Sequence, residues 1–154
     1  MIKFFKSKNY FILVVVIFIV FFFLLSTRVG DKDQIRRACF NDACFNLEIA
    51  ETFESRALGL MFREHLADDQ AMFFIFSKAG NHGFWMKNTL IPLDIIWLNE
   101  SLEIVFIKHQ AQPCQDELCP VFKPAVSAKY VLEIRGGLAE ELDLKNGQLL
   151  FLER

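Results

Sequence analysis

The sequence lacks the short motifs that mark many well-known enzyme classes. It contains no Gly-x-Ser-x-Gly elbow, no His-Glu-x-x-His motif and no Cys-x-x-Cys pair. The usual signatures of α/β-hydrolases, zinc proteases and thioredoxin-type enzymes are therefore missing. Internal repeats and low-complexity stretches are absent as well. What the chain does offer is one long apolar run, four cysteines and one dense motif.

The apolar run opens the chain and predicts a membrane anchor. Tyr10–Leu25 carries no charge and follows Lys3, Lys6 and Lys8. At about 1.5 Å per residue the run forms roughly 24 Å of helix, which barely spans a bilayer. Residues suited to signal cleavage are scarce after it, and the first cysteine, Cys39, comes too late to accept a lipid. A retained single-pass anchor in the cytoplasmic membrane is favoured.

The predicted organisation has four parts. Residues 1–9 form a cytoplasmic tail, residues 10–27 the transmembrane anchor or uncleaved signal, residues 28–37 a linker, and residues 38–154 one domain. Basic residues flank the anchor on both sides, so charge counting does not settle its orientation. Long domains translocate largely regardless of flanking charge, and the cysteines are spaced as disulfides in an oxidising compartment would be. We expect the domain to be extracytoplasmic, either periplasmic or extracellular.

The four cysteines form two Cys-x4-Cys units, Cys39/Cys44 and Cys114/Cys119. The turn-forming Asn41-Asp42 would bring the first pair together in a hairpin, and the second pair would close a loop. A four-thiolate zinc site is the competing interpretation, but zinc ligands are usually spaced more closely and such sites belong more to reducing compartments. Disulfides are favoured, other pairings remain open, and no cofactor is predicted.

The charge of the domain argues against two classes of partner. Without the three lysines before the apolar run, the chain has 14 basic and 19 acidic residues, which gives a net charge of −5 with histidine neutral. That balance disfavours nucleic acid and anionic lipid surfaces as partners.

Short apolar runs rich in Phe, Ile, Val and Trp predict a compact, mostly β barrel or half-barrel with one or two short helices. We expect one helix at Phe53–Leu58, capped by Thr52 and ended by Gly59.

The most specific motif of the sequence is FWMKNTLIPLDIIWL, Phe84–Leu98. A turn at Leu90-Ile91-Pro92 predicts a hairpin in which the strand Leu93–Leu98 pairs with Phe84–Thr89, with Asn88 opposite Asp94. A buried Asp94 needs hydrogen-bond donors, so it either binds backbone N–H groups of its turn or faces a ligand.

These stretches resemble a known family. The succession Arg56–Arg63, Ala71–Phe76 and Phe84–Ile96 is similar to domain-of-unknown-function family 192, also called uncharacterised protein family 0127. Tyr130–Glu133, followed by a Gly-Gly pair, fits the same pattern, as do the Pro-Cys and Cys-Pro pairs of the second cysteine unit. The resemblance implies a small, mostly β fold in secreted or membrane-anchored proteins. It implies no reaction, because the family has no established activity.

Three hypotheses for function follow. The first is a non-catalytic module that binds a small ligand or a membrane-protein partner, with a site formed by Arg63, Trp85, Lys87, Asn88, Asp94 and Glu133. In it, Arg63 and Lys87 would hold an anionic group beside the flat wall of Trp85. An ordinary ion pair between Arg63 and Glu133 is the competing interpretation.

The second hypothesis is a hydrolase that uses Asp94 or Glu133 as general base, with Lys87 or His82 as electrophile or acid. The third is soft-metal binding, because the chain contains the ligand types that copper(I) favours. The candidates are Met61, Met72, Met86, His82 and His109, although methionine in an apolar strand is usually core filler.

Overall fold

Two parts of the chain, residues 14–18 and 35–153, are described by the computed structural model. Residues 14–18 are helical and exposed. Among the described residues, no helix combines the length and hydropathy needed to cross a membrane. The predicted tail, most of the predicted anchor, and residues 28–34 of the predicted linker lie outside the described residues. From residue 35 onward the chain forms one compact unit.

Short strands dominate this unit. Within residues 35–153 the order is β1 (Arg37–Phe40), β2 (Ala43–Ala50), α1 (Phe53–Leu58), β3 (Gln70–Gly80), β4 (Phe84–Trp85), β5 (Leu93–Leu98), β6 (Ile104–Ala111), β7 (Val121–Phe122), β8 (Ala128–Arg135), α2 (Leu138–Glu141) and β9 (Phe151–Glu153).

Seven of these strands form one sheet in the order β6-β5-β8-β3-β2-β1-β9. All neighbours in it are antiparallel except β2 and β3, which are parallel and are connected through α1. The remaining two strands, β4 and β7, form a separate antiparallel ribbon. The sheet curls into a half-barrel. The predicted mostly β architecture with short helices is therefore confirmed.

The centre of the sheet is covered on both faces. Every residue of β5 is buried, which explains why its sequence is apolar at nearly every position instead of alternating. One face carries Phe73, Ile96, Leu132 and Ile134, and the other carries Phe74, Ile95, Trp97 and Val131. The ribbon of β4 and β7 packs through Phe84 and Phe122 over the second face.

The helix α1 begins and ends at the residues that the sequence predicts, Thr52 and Gly59. The Thr52 hydroxyl accepts a hydrogen bond from the backbone N–H of Ser55 at 3.1 Å, and the Ser55 hydroxyl accepts one from the N–H of Thr52 at 3.0 Å. These reciprocal bonds form a capping box, which satisfies donors left free at a helix start. Gly59 ends the helix at φ 50°, a backbone conformation that side chains disfavour.

Both disulfides form within their Cys-x4-Cys units. Cys39 and Cys44 lie directly opposite each other on β1 and β2, across a turn in which Asn41 has φ 50°. Cys114 and Cys119 close the loop between β6 and β7. Within residues 14–18 and 35–153 there is no free cysteine, so the prediction of two disulfides is confirmed.

The predicted hairpin between Phe84–Thr89 and Leu93–Leu98 is wrong. β4 pairs with β7, with Phe84 opposite Phe122, and it extends only to Trp85. The reason is that β5 already has both edges hydrogen-bonded, one to β6 and the other to β8. Asn88 has φ 55°, which breaks an extended conformation before the expected turn.

Candidate functional site

A cleft of about 340 Å³ lies over the second face of the sheet. Its walls come from α1 and the residues that follow it, from β3, and from residues 83–89. The aromatic side chains that line it are Phe53, Phe74, Phe76, Phe84 and Trp85. Phe53 and Trp85 are largely exposed, at 75% and 50%, so the aromatic surface continues from the interior to the mouth. Apolar clefts of this size are typical of small-molecule sites.

Glu133 is a buried acid in this cleft. It lies on β8 between Met72 and Ile95 of the neighbouring strands, and only 4% of the residue is exposed. Burial raises the pKa of the Glu133 carboxyl to about 8, because a charge is poorly solvated there. Within residues 35–153, no hydrogen bond or ion pair to this carboxyl is formed. Glu133 therefore presents to the cleft a carboxyl without a protein partner, and burial favours the neutral form of this carboxyl.

Two cationic side chains, Arg56 and Lys87, also line the cleft. The Arg56 guanidinium lies 5.1 Å above the ring centre of Phe76 and donates a hydrogen bond to the carbonyl of Ile75 at 3.0 Å. The Lys87 ammonium donates to the carbonyl of Asp116 at 2.6 Å. Both contacts leave donors for a ligand, because each cation has several N–H groups.

The wall that carries Lys87 is held by the second disulfide loop. The N–H of Cys114 donates to the carbonyl of Met86, and the N–H of Asn88 donates to the carbonyl of Cys114, both at 3.1 Å. The Gln115 amide donates to the carbonyl of Thr89 at 3.1 Å. These bonds replace the pairing to β5 that the sequence predicted. The Cys114–Cys119 loop thus positions the Lys87 wall.

Arg63 and Asn88 are not among the residues that line the cleft. Arg63 forms a two-pronged ion pair with Glu48 on β2, with Nη1 and Oε1 2.6 Å apart. The alternative ion pair between Arg63 and Glu133 is therefore wrong. Asn88 accepts a hydrogen bond from the N–H of Phe62 through its carbonyl at 2.8 Å, so it joins the two walls through the backbone.

Asp94 lies away from the cleft and is fully buried. Its Oδ1 accepts a hydrogen bond from the N–H of Gln110, and its Oδ2 accepts one from the N–H of Ala139, both at 2.7 Å. Asp94 therefore connects the end of β6 to the start of α2. It does accept backbone N–H groups, but these come from distant segments and not from its own turn.

The structure also shows where residues of the hydrolase and copper hypotheses lie. Asp94 pairs with Ile134 while Glu133 pairs with Ile95, so the two carboxyls point to opposite faces of the sheet and cannot flank one bond. His82 stacks on Phe76 with ring centres 3.6 Å apart. Met72 and Met86 are buried among aromatic side chains, where methionine fills space.

Sequence reasoning missed Arg56 and the aromatic residues of α1 and β3. Their apolar spacing indicated only a capped helix and a buried strand. Nothing local signals that α1 folds over β3, because the crossover between two parallel strands determines that contact. A basic residue on a short exposed helix is common, so Arg56 carried no distinctive signal.

The fold and cleft define a class: a mostly β half-barrel domain with two disulfides and an aromatic, cation-lined cleft. Residues 36–152 match the family DUF192, described as "Uncharacterized ACR", and the chain belongs to this family. The resemblance seen in the sequence is thereby confirmed.

Two relatives and one solved structure share the domain, and their names state no activity. A UPF0127 protein from Thermococcus gammatolerans is 30% identical over 110 residues, and one from Thermococcus kodakarensis is 28% identical over 109. Each alignment covers 68% of this chain, and the chain spans 65% and 62% of the two relatives. The crystal structure of a protein of unknown function from Novosphingobium aromaticivorans is 33% identical, with a TM-score of 0.70. That match covers 80% of this chain and 89% of the other.

Proposed function

We propose that this domain is a non-catalytic module that binds a small ligand in the cleft between α1 and residues 83–89. The observation that carries the proposal is the unpartnered carboxyl of Glu133 inside an aromatic cleft. Among the described residues, no wholly buried side-chain oxygen or nitrogen lacks a hydrogen-bond partner, so the Glu133 carboxyl is open to the cleft. A ligand with a polar group at this point would form a hydrogen bond to the carboxyl, which favours a specific occupant.

Binding is favoured over hydrolysis by the placement of the two acids. Burial raises the pKa of Glu133 to about 8 and favours its neutral form, and among the described residues no second carboxyl lines the cleft beside it. The second carboxyl of the hydrolase hypothesis, Asp94, has both oxygens bonded to backbone N–H groups on the other face. The two carboxyls therefore cannot act together on one bond.

We also propose that the apolar N-terminal run holds the domain at the outer side of the cytoplasmic membrane. The support is the uncharged sequence Tyr10–Leu25 and the presence of two disulfides, which persist in oxidising compartments. Protease treatment of intact spheroplasts that express the full chain tests this topology. Digestion of the domain without cell lysis supports it, and full protection contradicts it.

A thermal-shift screen of the full-length protein tests the binding function. The ligand classes are organic acids, amines, sugars, short peptides, and divalent or cuprous metals. Saturable stabilisation by one class, lost in Lys87→Ala but kept in Lys145→Ala, is the expected result. Lys145 is a matched control because it is exposed and pairs only with Asp143 among the described residues. The absence of a shift with every class would contradict small-ligand binding and favour a protein partner.

A further inference from the structure

Resting on the proposed binding function, we infer that the ligand is a small organic acid with an apolar body and a carboxylate. The carboxylate accepts a hydrogen bond from Glu133 and is attracted by Arg56 and Lys87, while the apolar body lies against the aromatic wall. Three observations lead to this class of ligand: the apolar setting of the cleft acid, the charges around it, and the apolar lining.

The first observation is the setting of Glu133. Its neighbours on the adjacent strands, Met72 and Ile95, are buried apolar residues that offer no hydrogen bond to an ionised carboxylate. An ionised group in such a place would lose hydration without compensation, so the neutral form is preferred. The pKa of about 8 agrees with this conclusion. A neutral carboxyl offers one O–H donor, and an ionised acceptor such as a carboxylate forms a stronger hydrogen bond with it than a neutral acceptor does.

The second observation is the charge balance on this face of the sheet. With Glu133 neutral, the formal charges that line the cleft are those of Arg56 and Lys87, both positive. Glu48 and Lys108 lie in register with Glu133, two strands away on either side of it. The charge of Glu48 is neutralised by Arg63, whereas Lys108, above the Phe122 ring, adds a further positive charge. His82, stacked on Phe76, is a further titratable group beside the cleft. This field attracts an anion and repels an amine.

The third observation is the shape of the apolar surface. Phe74 and Phe84 meet edge to face, with ring centres 4.8 Å apart, and Trp85 extends this surface to solvent. A flat or branched hydrocarbon body would bury apolar area against these rings, at roughly 25 cal/mol per Å². For the hydroxyl groups of a sugar, the lining offers four polar side chains, those of Arg56, Lys87, Thr89 and Glu133, and the rest of it is apolar. The combined requirement is an acid at one end and hydrocarbon at the other.

Three probes with the same phenylpropyl skeleton test the inference by calorimetry on the full-length protein: 3-phenylpropionate, 3-phenylpropanamide and 3-phenylpropylamine. The acid is expected to bind most tightly, the amide about tenfold more weakly, and the amine not measurably. The affinity for the acid should fall about tenfold between pH 7 and pH 9, because Glu133 loses the donated proton across its pKa of about 8. Tighter binding of the amine, with affinity that rises with pH, would overturn the inference.

Variants separate the role of Glu133 from general damage to the cleft. Glu133→Gln keeps a neutral donor, so it should keep the affinity for the acid at pH 7 and abolish its fall at pH 9. Glu133→Leu has no donor and should bind about tenfold more weakly at pH 7. His82→Asn should retain the pH dependence of the wild type. A pH dependence that survives in Glu133→Gln, or vanishes in His82→Asn, would overturn the assignment to Glu133.

The outcomes also distinguish this inference from the proposed function. If the acid fails to bind while sugars, metals or amines stabilise the protein in a Lys87-dependent way, the cleft is a binding site but the ligand class is wrong. If no class binds, both proposals fail. If the acid binds equally well to wild type and Lys87→Ala, it binds elsewhere, and the inference fails.

Discussion

Asp94 and Glu133 are neighbours across paired strands, yet their carboxyls lie on opposite faces of the sheet. Asp94 is opposite Ile134 and Glu133 is opposite Ile95, so the two acids are displaced by one residue in register. That single step determines their chemistry, because side chains alternate between faces. Asp94 receives two backbone N–H groups and joins two segments, whereas Glu133 receives none and lines the cleft.

Asp94→Asn should lower the free energy of unfolding by about 2–3 kcal/mol. The amide keeps only one acceptor oxygen, so one of the N–H groups of Gln110 and Ala139 would face an NH2 group. Urea unfolding of the full-length protein measures the effect. Asp143→Asn, at an exposed ion pair with Lys145, is the control and should cost less than about 1 kcal/mol. Equal losses in the two variants would contradict the structural role of Asp94.

Glu133 makes the protein less stable as the pH rises through neutrality. The pKa of the carboxyl is about 8 in the folded protein against an ordinary value of 4.5, so the folded state binds the proton more tightly than the unfolded state. Stability therefore falls by up to about 1.4 kcal/mol per pH unit between these two values, and this contribution changes no further above pH 8.

Glu133→Gln should remove that slope, because glutamine stays neutral in both states. Urea unfolding of wild type and variant at pH 5 and pH 7 gives the difference, in which the other titratable groups largely cancel. The variant should gain stability relative to wild type at pH 7 and show little relative gain at pH 5. An unchanged difference between the two pH values would show that Glu133 is ionised in the folded protein.

The two disulfides should differ in their effect on ligand affinity. Replacing Cys114 and Cys119 by serine should cost about 2–3 kcal/mol of stability and weaken binding, because their loop holds the Lys87 wall. Replacing Cys39 and Cys44, which join β1 to β2, should cost a similar amount and leave affinity unchanged. Urea unfolding and calorimetry with the ligand class found by the thermal-shift screen provide the two readouts. Equal losses of affinity would show that the loop has no special role.

Arg56 and Arg63 should respond differently to substitution, although both belong to the same short sequence motif. Arg56→Ala should weaken ligand binding, because Arg56 lines the cleft, and should also cost some stability through its lost bond to Ile75. Arg63→Ala removes a partly exposed ion pair with Glu48 and should leave affinity unchanged. Calorimetry on the two variants compares them. Loss of affinity in Arg63→Ala alone would restore the site that the sequence predicted.

Local signals explain what the sequence predicted correctly. The cap at Thr52, the end at Gly59 and the turn at Asn41 act within a few residues, and the helix and hairpin appear where these residues indicate. The strand Leu93–Leu98 was also predicted correctly, because a continuous apolar run suits a strand buried on both faces.

Pairing between distant segments explains the errors. Phe84–Trp85 pairs with residues more than 30 positions away, and no local pattern distinguishes that partner from the nearby β5. The same limit affects the site. Trp85, Lys87 and Glu133 do line one cleft, but Arg63 was assigned to it and Arg56 was overlooked, because the path of the chain after α1 decides which arginine faces the aromatic wall.

The most direct test of ligand binding in this cleft is an NMR titration of the 15N-labelled full-length protein with the ligand classes of the thermal-shift screen. We expect saturable shifts of amide signals confined to residues 56–61 and 83–89 and to Glu133, with none at Asp94 or at β9. Saturable shifts centred elsewhere, or none with any class, would contradict it.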